Sequence, residues 1–139
     1  MSGATPTRAT SCLAQTAEAA GWEALFIWDH LAFIWHVPAG DPWIILTAVA
    51  ATTNRLRFGT SVTPLARHRP QLLAHQLTTL DVLSGGRVVL GAGLGAGQGE
   101  WTPSGEPADF KVRAAMVDGP QCGSISLRAM VAGRDSGQE

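Results

Sequence analysis

The chain of 139 residues is short of charge, of cysteine and of long apolar runs, and each shortage removes a class of function. Charged residues make up only 15% of it and the formal net charge is -1, so no cationic field draws nucleic acid or an anionic membrane surface. Neither is expected as a partner. Cys12 and Cys122 lie far apart, with no CxxC or Cys/His ligand spacing, which leaves no basis for a zinc site or a disulfide framework. No metal is expected, and the two cysteines read as free thiols. No apolar run approaches the ~20 residues that span a bilayer. The opening stretch MSGATPTRATS has no apolar segment of the secretory kind, so a cytoplasmic location is the expectation.

What is present is hydrophobic periodicity. Leu13, Ala17 and Ala20 fall on one face of a helix that stops at Gly21, and ALFI follows as a short apolar strand. Asp41-Pro42 reads as an N-cap with proline in the first helical position, opening a helix to about Asn54 whose apolar face is Ile44, Ile45, Ala48 and Val49. LRFGTSV is rich in strand formers. Pro70 opens a third helix, with Leu73, Leu77 and Leu80 facing a core between Leu72 and Leu83, and Ser84-Gly85-Gly86 ends it. RVVLGAG is a continuously apolar strand. Helices alternating with continuously apolar strands predict an α/β fold with parallel strands covered by helices.

In such sheets ligands collect at the carboxyl ends of the strands. Asp29-His30, Thr60-Ser61-Val62-Thr63 and Gly93-Leu94-Gly95 each stand at such an end. Three consecutive strand ends thus place an imidazole, hydroxyls and backbone amides around one mouth. His36, His68 and His75 read as loop residues or caps. Gly91, Gly93 and Ala96 satisfy the relaxed GxGxxA dinucleotide fingerprint, yet Glu100-Trp101-Thr102-Pro103 follows where an apolar helix face belongs, which favours a ligand-gating loop. Trp22, Trp28, Trp35 and Trp43 read as core or contact residues, and Trp28 and Trp35 flank His30. Arg67, His68 and Arg69 form a local cationic cluster that suits either an anion or a solvated helix entrance.

The segments AEAAGWEALFIWDHL, DPWIILTAVAATTNRLRFGTSVTPLARHRP and LLAHQLTTLDVLSGGRVVLGAGLG, in that order and with those gaps, resemble the luciferase-like monooxygenase superfamily, flavin- or deazaflavin-dependent oxidoreductases on a TIM barrel. The resemblance runs from about Ala17 to about Gly95 and implies a partial (β/α)8 barrel, roughly strands two to four with their helices. It implies FMN or 8-hydroxy-5-deazaflavin as cofactor, with Asp29 and His30 beside the ring as catalytic residues. Thr60, Ser61, Val62 and Thr63 would support the ring face, often through a cis peptide at Ser61-Val62, with Gly93, Leu94 and Gly95 nearby. His30 would donate a hydrogen bond or a proton, tuned by Asp29.

Residues 1–11 are expected to be irregular, 12–118 to form the partial barrel domain, and 119–139, where the amphipathic period is lost, to be an irregular tail. Nothing strand-like stands where the family's first strand belongs, which reads as a truncated or frame-shifted relative or as a trimmed module. Exposed edges at ALFI and RVVLGAG predict a homodimer or larger assembly. Function divides between an oxidoreductase acting on a small organic molecule and a non-catalytic flavin-binding or dimerisation module.

Overall fold

ALFI, RFGTSVTP and VVLGAG form one parallel sheet in the computed structural model, which describes residues 6–31, 40–95 and 98–118. Along these residues the order is α1 (Pro6–Ala19), β1 (Ala24–Ile27), α2 (Pro42–Thr52), β2 (Arg57–Pro64), a 3₁₀ turn over Leu65–Arg67 and α3 (Pro70–Ser84). β3 (Val88–Gly93), α4 (Gln98–Trp101), a second 3₁₀ turn over Thr102–Ser104 and α5 (Phe110–Asp118) complete it. The strands stand in the order β1-β2-β3, with Phe26 paired to Gly59 and Gly59 to Val89. The sheet is the expected α/β arrangement.

Helices α2 and α3 cover one face of the sheet. Leu46 and Val49 of α2 and Leu73, Leu77 and Leu80 of α3 are buried with Leu56 and Phe58, and Leu25, Ile27, Val88 and Leu90 pack against them from the sheet. Each such side chain taken out of water contributes about 1.5–3 kcal/mol. Asp41 caps α2 as expected, its carboxylate accepting the Ile44 N–H at 3.0 Å, and Gly85 ends α3 with a left-handed φ of 67°.

Three details differ from the sequence reading. α1 begins at Pro6, inside the stretch expected to be irregular, because proline suits a first helical turn and Thr10, Ser11 and Thr16 return their hydroxyls to the carbonyls four residues back. Its buried residue is Ala14, while Leu13 is exposed, so the covered face is turned by one position. Ile44 is exposed too, and Trp43, Leu46 and Ala50 take the inward places with Ile45 and Val49. Residues 119–139 lie outside the described part.

At the bulge of β2 between Thr60 and Thr63, the Ser61-Val62 peptide is cis. Gly91 of β3 faces this bulge. A Cβ there would stand 2.3 Å from the Thr60 carbonyl oxygen, so the register of the two strands requires glycine.

Candidate functional site

β1 ends in an ion-pair network rather than in a loop of free polar groups. Asp29 is buried, and both its carboxylate oxygens are engaged: Oδ1 accepts from Arg67 Nη2 at 2.5 Å, and Oδ2 meets His68 Nε2 at 3.0 Å. The same Arg67 nitrogen donates to the Asp29 backbone carbonyl at 2.6 Å. Burial pushes the Asp29 carboxyl up, but the His68 hydrogen bond and the charges of His68 and Arg67 outweigh it and hold the carboxyl below its ordinary value.

His30 looks elsewhere. Its Nδ1 lies 2.9 Å from Glu100 Oε2, while Glu100 Oε1 accepts the Leu31 N–H at 2.5 Å and stands 3.4 Å from Arg67 Nη1. Glu100 is buried on α4, so this one carboxylate clamps the segment after β3 onto the end of β1. Trp28 meets the His30 ring edge-on, with centroids 5.8 Å apart. Behind the network a cavity of about 210 Å³ is bounded by Asp29, His30, Trp43, Arg67 and His68, among others.

The glycines after β3 serve close approach. A Cβ on Gly93 would stand 2.7 Å from Val62 Cγ2. Gly95, at φ 75°, is wedged between Trp101 and Pro64, where a Cβ would come within 2.9 Å of both. This accounts for the spacing that imitates a dinucleotide fingerprint; Ala96 lies outside the described residues. Trp101 is buried beneath the network, with the Arg67 guanidinium 5.7 Å and the Arg113 guanidinium 4.1 Å from its ring centre.

The structure separates the residues singled out from sequence. His30, Ser61 and Val62 are at least partly accessible at the strand ends, whereas Thr60 and Thr63 are fully buried and joined by a 2.8 Å bond between their hydroxyls. The two threonines thus turn their hydroxyls to one another inside the sheet. Gly93, Leu94 and Gly95 are half-buried beside them. Asp29 was expected to tune His30, but it turns to Arg67 and His68, and Glu100 takes that place. Arg67 is likewise no open anion site, since its side chain is buried against two carboxylates, and His68 is drawn into the network. Trp35 and His36 lie outside the described residues.

Glu100, Trp101 and Arg113 are absent from the sequence-derived list. Only the polar break at Glu100-Trp101 hinted at them. Among the described residues no cluster of histidine, cysteine and acidic side chains could hold a metal ion, and no helix is long and apolar enough to cross a membrane.

Three parallel strands with helices on one face form a segment of a (β/α)8 barrel, and the polar network lies at the carboxyl ends, the rim that usually carries the site in such barrels. The model of the luciferase-like monooxygenase family matches residues 1–117, and the chain belongs to that family. It is 44% identical over 106 residues to an F420-dependent glucose-6-phosphate dehydrogenase of Beutenbergia cavernae, a match covering 71% of this chain and 30% of the relative. Among solved structures, the oxygenating constituent of 3,6-diketocamphane monooxygenase from Pseudomonas putida, in complex with FMN, superposes with a TM-score of 0.72 at 25% identity, over 84% of this chain and 33% of that one. The F420-dependent tetrahydromethanopterin reductase of Methanopyrus kandleri gives 0.65 at 27% identity, over 75% and 28%. The chain thus spans about a third of the length of these relatives.

Proposed function

We propose that the chain carries the ring-facing part of a flavin- or deazaflavin-dependent oxidoreductase acting on a small organic molecule. The observation that carries this reading is His30 at the end of β1, held by a buried carboxylate and standing beside exposed apolar surface. Phe26, Trp28 and Val62 are 47%, 57% and 39% exposed, an unusual amount of large apolar surface for one end of a sheet. A planar ring fits such a shelf, and the missing Cβ of Gly93 leaves Val62 free to form part of it. When bound, the cofactor supplies hydride or electron transfer. Val62 and Trp28 exclude water from one side of the ring, and His30 exchanges a proton at the rim. The identity to an F420-dependent dehydrogenase favours 8-hydroxy-5-deazaflavin over FMN.

The test is a tryptophan-fluorescence titration of the chain with each cofactor, repeated with His30→Ala and Val62→Asp. Saturable micromolar binding that both substitutions weaken at least tenfold supports the reading. Absence of binding to either ring leaves kinship without a cofactor site and makes a dimerisation module the better description.

A second copy is the expected partner. Ile44 on α2 and Leu72 and Leu83 on α3 are well exposed on the outer helices, and apolar surface of this kind favours self-association. Sedimentation velocity at micromolar concentration should give a dimer or larger species, and a folded monomer would remove this part of the reading.

A further inference from the structure

We propose that Arg113 is a carboxylate-binding residue, its guanidinium held in a slot between Trp101 and Phe110 with Phe110 as the wall that opens. Arg113 lies on α5 and is completely buried, yet its Nε, Nη1 and Nη2 donate to nothing among the described residues. A guanidinium carries five N–H donors in one rigid plane and does not shed its charge, so burying it without acceptors works against the fold. The two rings offset part of this. The guanidinium carbon stands 4.1 Å from the Trp101 ring centre and 4.3 Å from that of Phe110. They meet the charge but supply no carbonyl or carboxylate lone pair. Arg87 and Arg67 show what is missing: Arg87, over Phe58, donates to the carbonyls of Ala50, Thr53, Leu56 and Ser84, and Arg67, beside Trp101, holds the Asp29 carboxylate. Glu100, next to Trp101 in sequence, spends its carboxylate on Leu31 and His30, and Asp109, next to Phe110, spends its own on the N–H groups of Lys111 and Val112. The donor set of Arg113 therefore calls for an acceptor from outside these elements.

The two walls of the slot differ. Trp101 is buried and wedged, since a Cβ on Gly95 would already come within 2.7 Å of its ring. Phe110 is the first residue of α5, one turn before Arg113, and is 57% exposed, so its ring has room to turn outward and uncover the guanidinium. The slot also selects by shape. Between two rings laid on a flat guanidinium, a planar carboxylate continues the plane and pairs with two N–H groups at once, whereas a tetrahedral phosphate is too thick to follow. The ligand class is a small organic carboxylate. Trp101 stands 5.7 Å from the Arg67 guanidinium as well, so the slot adjoins the strand-end network without drawing on its carboxylates. Neither the role of His30 nor a cofactor enters the argument.

The experiment is ¹⁵N–¹H NMR of the arginine Nε–H groups of the whole chain at pH 7, with the Arg113 signal assigned by its loss in Arg113→Met. Sodium acetate is titrated alongside sodium chloride and sodium phosphate at matched ionic strength. A saturable shift of the Arg113 signal with acetate alone is expected, together with a urea midpoint that acetate raises in the parent chain but not in Arg113→Met. In Phe110→Ala the Arg113 Nε–H should exchange with water about tenfold faster. No shift with acetate, or one that chloride or phosphate reproduces, overturns the assignment. So does an Arg113 signal that moves with protein concentration before acetate is added, because a carboxylate of a second copy then fills the slot. Unchanged exchange in Phe110→Ala overturns Phe110 as the opening wall. If Arg113→Met does not fold, Arg113→Lys assigns the signal and the parent titration decides.

Discussion

The two ends of the sheet are held by charged side chains in different ways. At the amino ends, Glu18 of α1 accepts the backbone N–H groups of Asn54, Arg55 and Leu56, and Arg87 donates to the carbonyls of Ala50, Thr53, Leu56 and Ser84 and to the Thr53 hydroxyl. Each charge there is neutralised by backbone dipoles that do not titrate. At the carboxyl ends, Asp29, His30, Arg67, His68 and Glu100 hold one another. The charges at the carboxyl ends depend on one another, whereas each charge at the amino ends depends on fixed backbone groups. The first arrangement suits a foundation and the second suits a site. In barrels of this kind the amino face carries stability and the carboxyl face carries chemistry.

The contrast is sharpest between two arginines stacked on aromatic rings. Arg87 lies 5.2 Å over Phe58 with its guanidinium nitrogens fully engaged, whereas Arg113 is completely buried between Trp101 and Phe110 with no hydrogen bond from any of its three nitrogens. Replacing each by methionine should therefore act in opposite directions. Arg87→Met strands acceptors on the buried residues Ala50, Thr53 and Leu56 and should lower unfolding stability by about 3 kcal/mol. Arg113→Met removes an unpaired charge and keeps the packing between the rings, so urea unfolding should show no loss or a gain of about 1 kcal/mol. Equal losses in the two variants would break the distinction.

The framework was legible in the sequence because it rests on local signals. Asp41-Pro42, Pro70 and Ser84-Gly85-Gly86 fixed helix ends through caps and backbone angles, and ALFI and RVVLGAG gave strands through composition. The strand-end rule picked out His30, Ser61 and Val62, which are at least partly accessible. Long-range pairing was not legible. Glu100 reaches His30 across 70 positions of chain and Arg67 reaches Asp29 across 38, and no period or motif encodes those meetings. Adjacency misled as well: Asp29 stands next to His30 in sequence, but successive residues at a strand end point to opposite sides, so the carboxylate that serves the imidazole comes from another element. Nor was the pairing of Thr60 with Thr63 legible, since it is the bulge between them that turns both hydroxyls to one another.

Two carboxylates sit at opposite ends of the sheet, and acid unfolding compares them directly. Both are held below their ordinary range. In Asp29 burial is outweighed by the hydrogen bond to His68 and the pairing with Arg67, and in Glu18 the hydrogen bonds from Arg55 and Leu56 lead. A lowered carboxyl stabilises the fold above its unfolded pKa, about 3.9 for aspartate and 4.3 for glutamate. That stabilisation is lost as pH falls through the folded value. Asp29→Asn should lower stability at pH 7 by about 2 kcal/mol, because a charged hydrogen bond to Arg67 becomes a neutral one, and should flatten the dependence on pH below about 4. Glu18→Gln should flatten the same window with a smaller loss at pH 7. Its group is solvated, and an amide oxygen still accepts part of the three N–H groups. Stability measured by urea unfolding between pH 7 and pH 3 separates them. If Glu18→Gln costs more at pH 7 than Asp29→Asn, the amino end depends on charge as much as the site does, and the division between foundation and site is wrong.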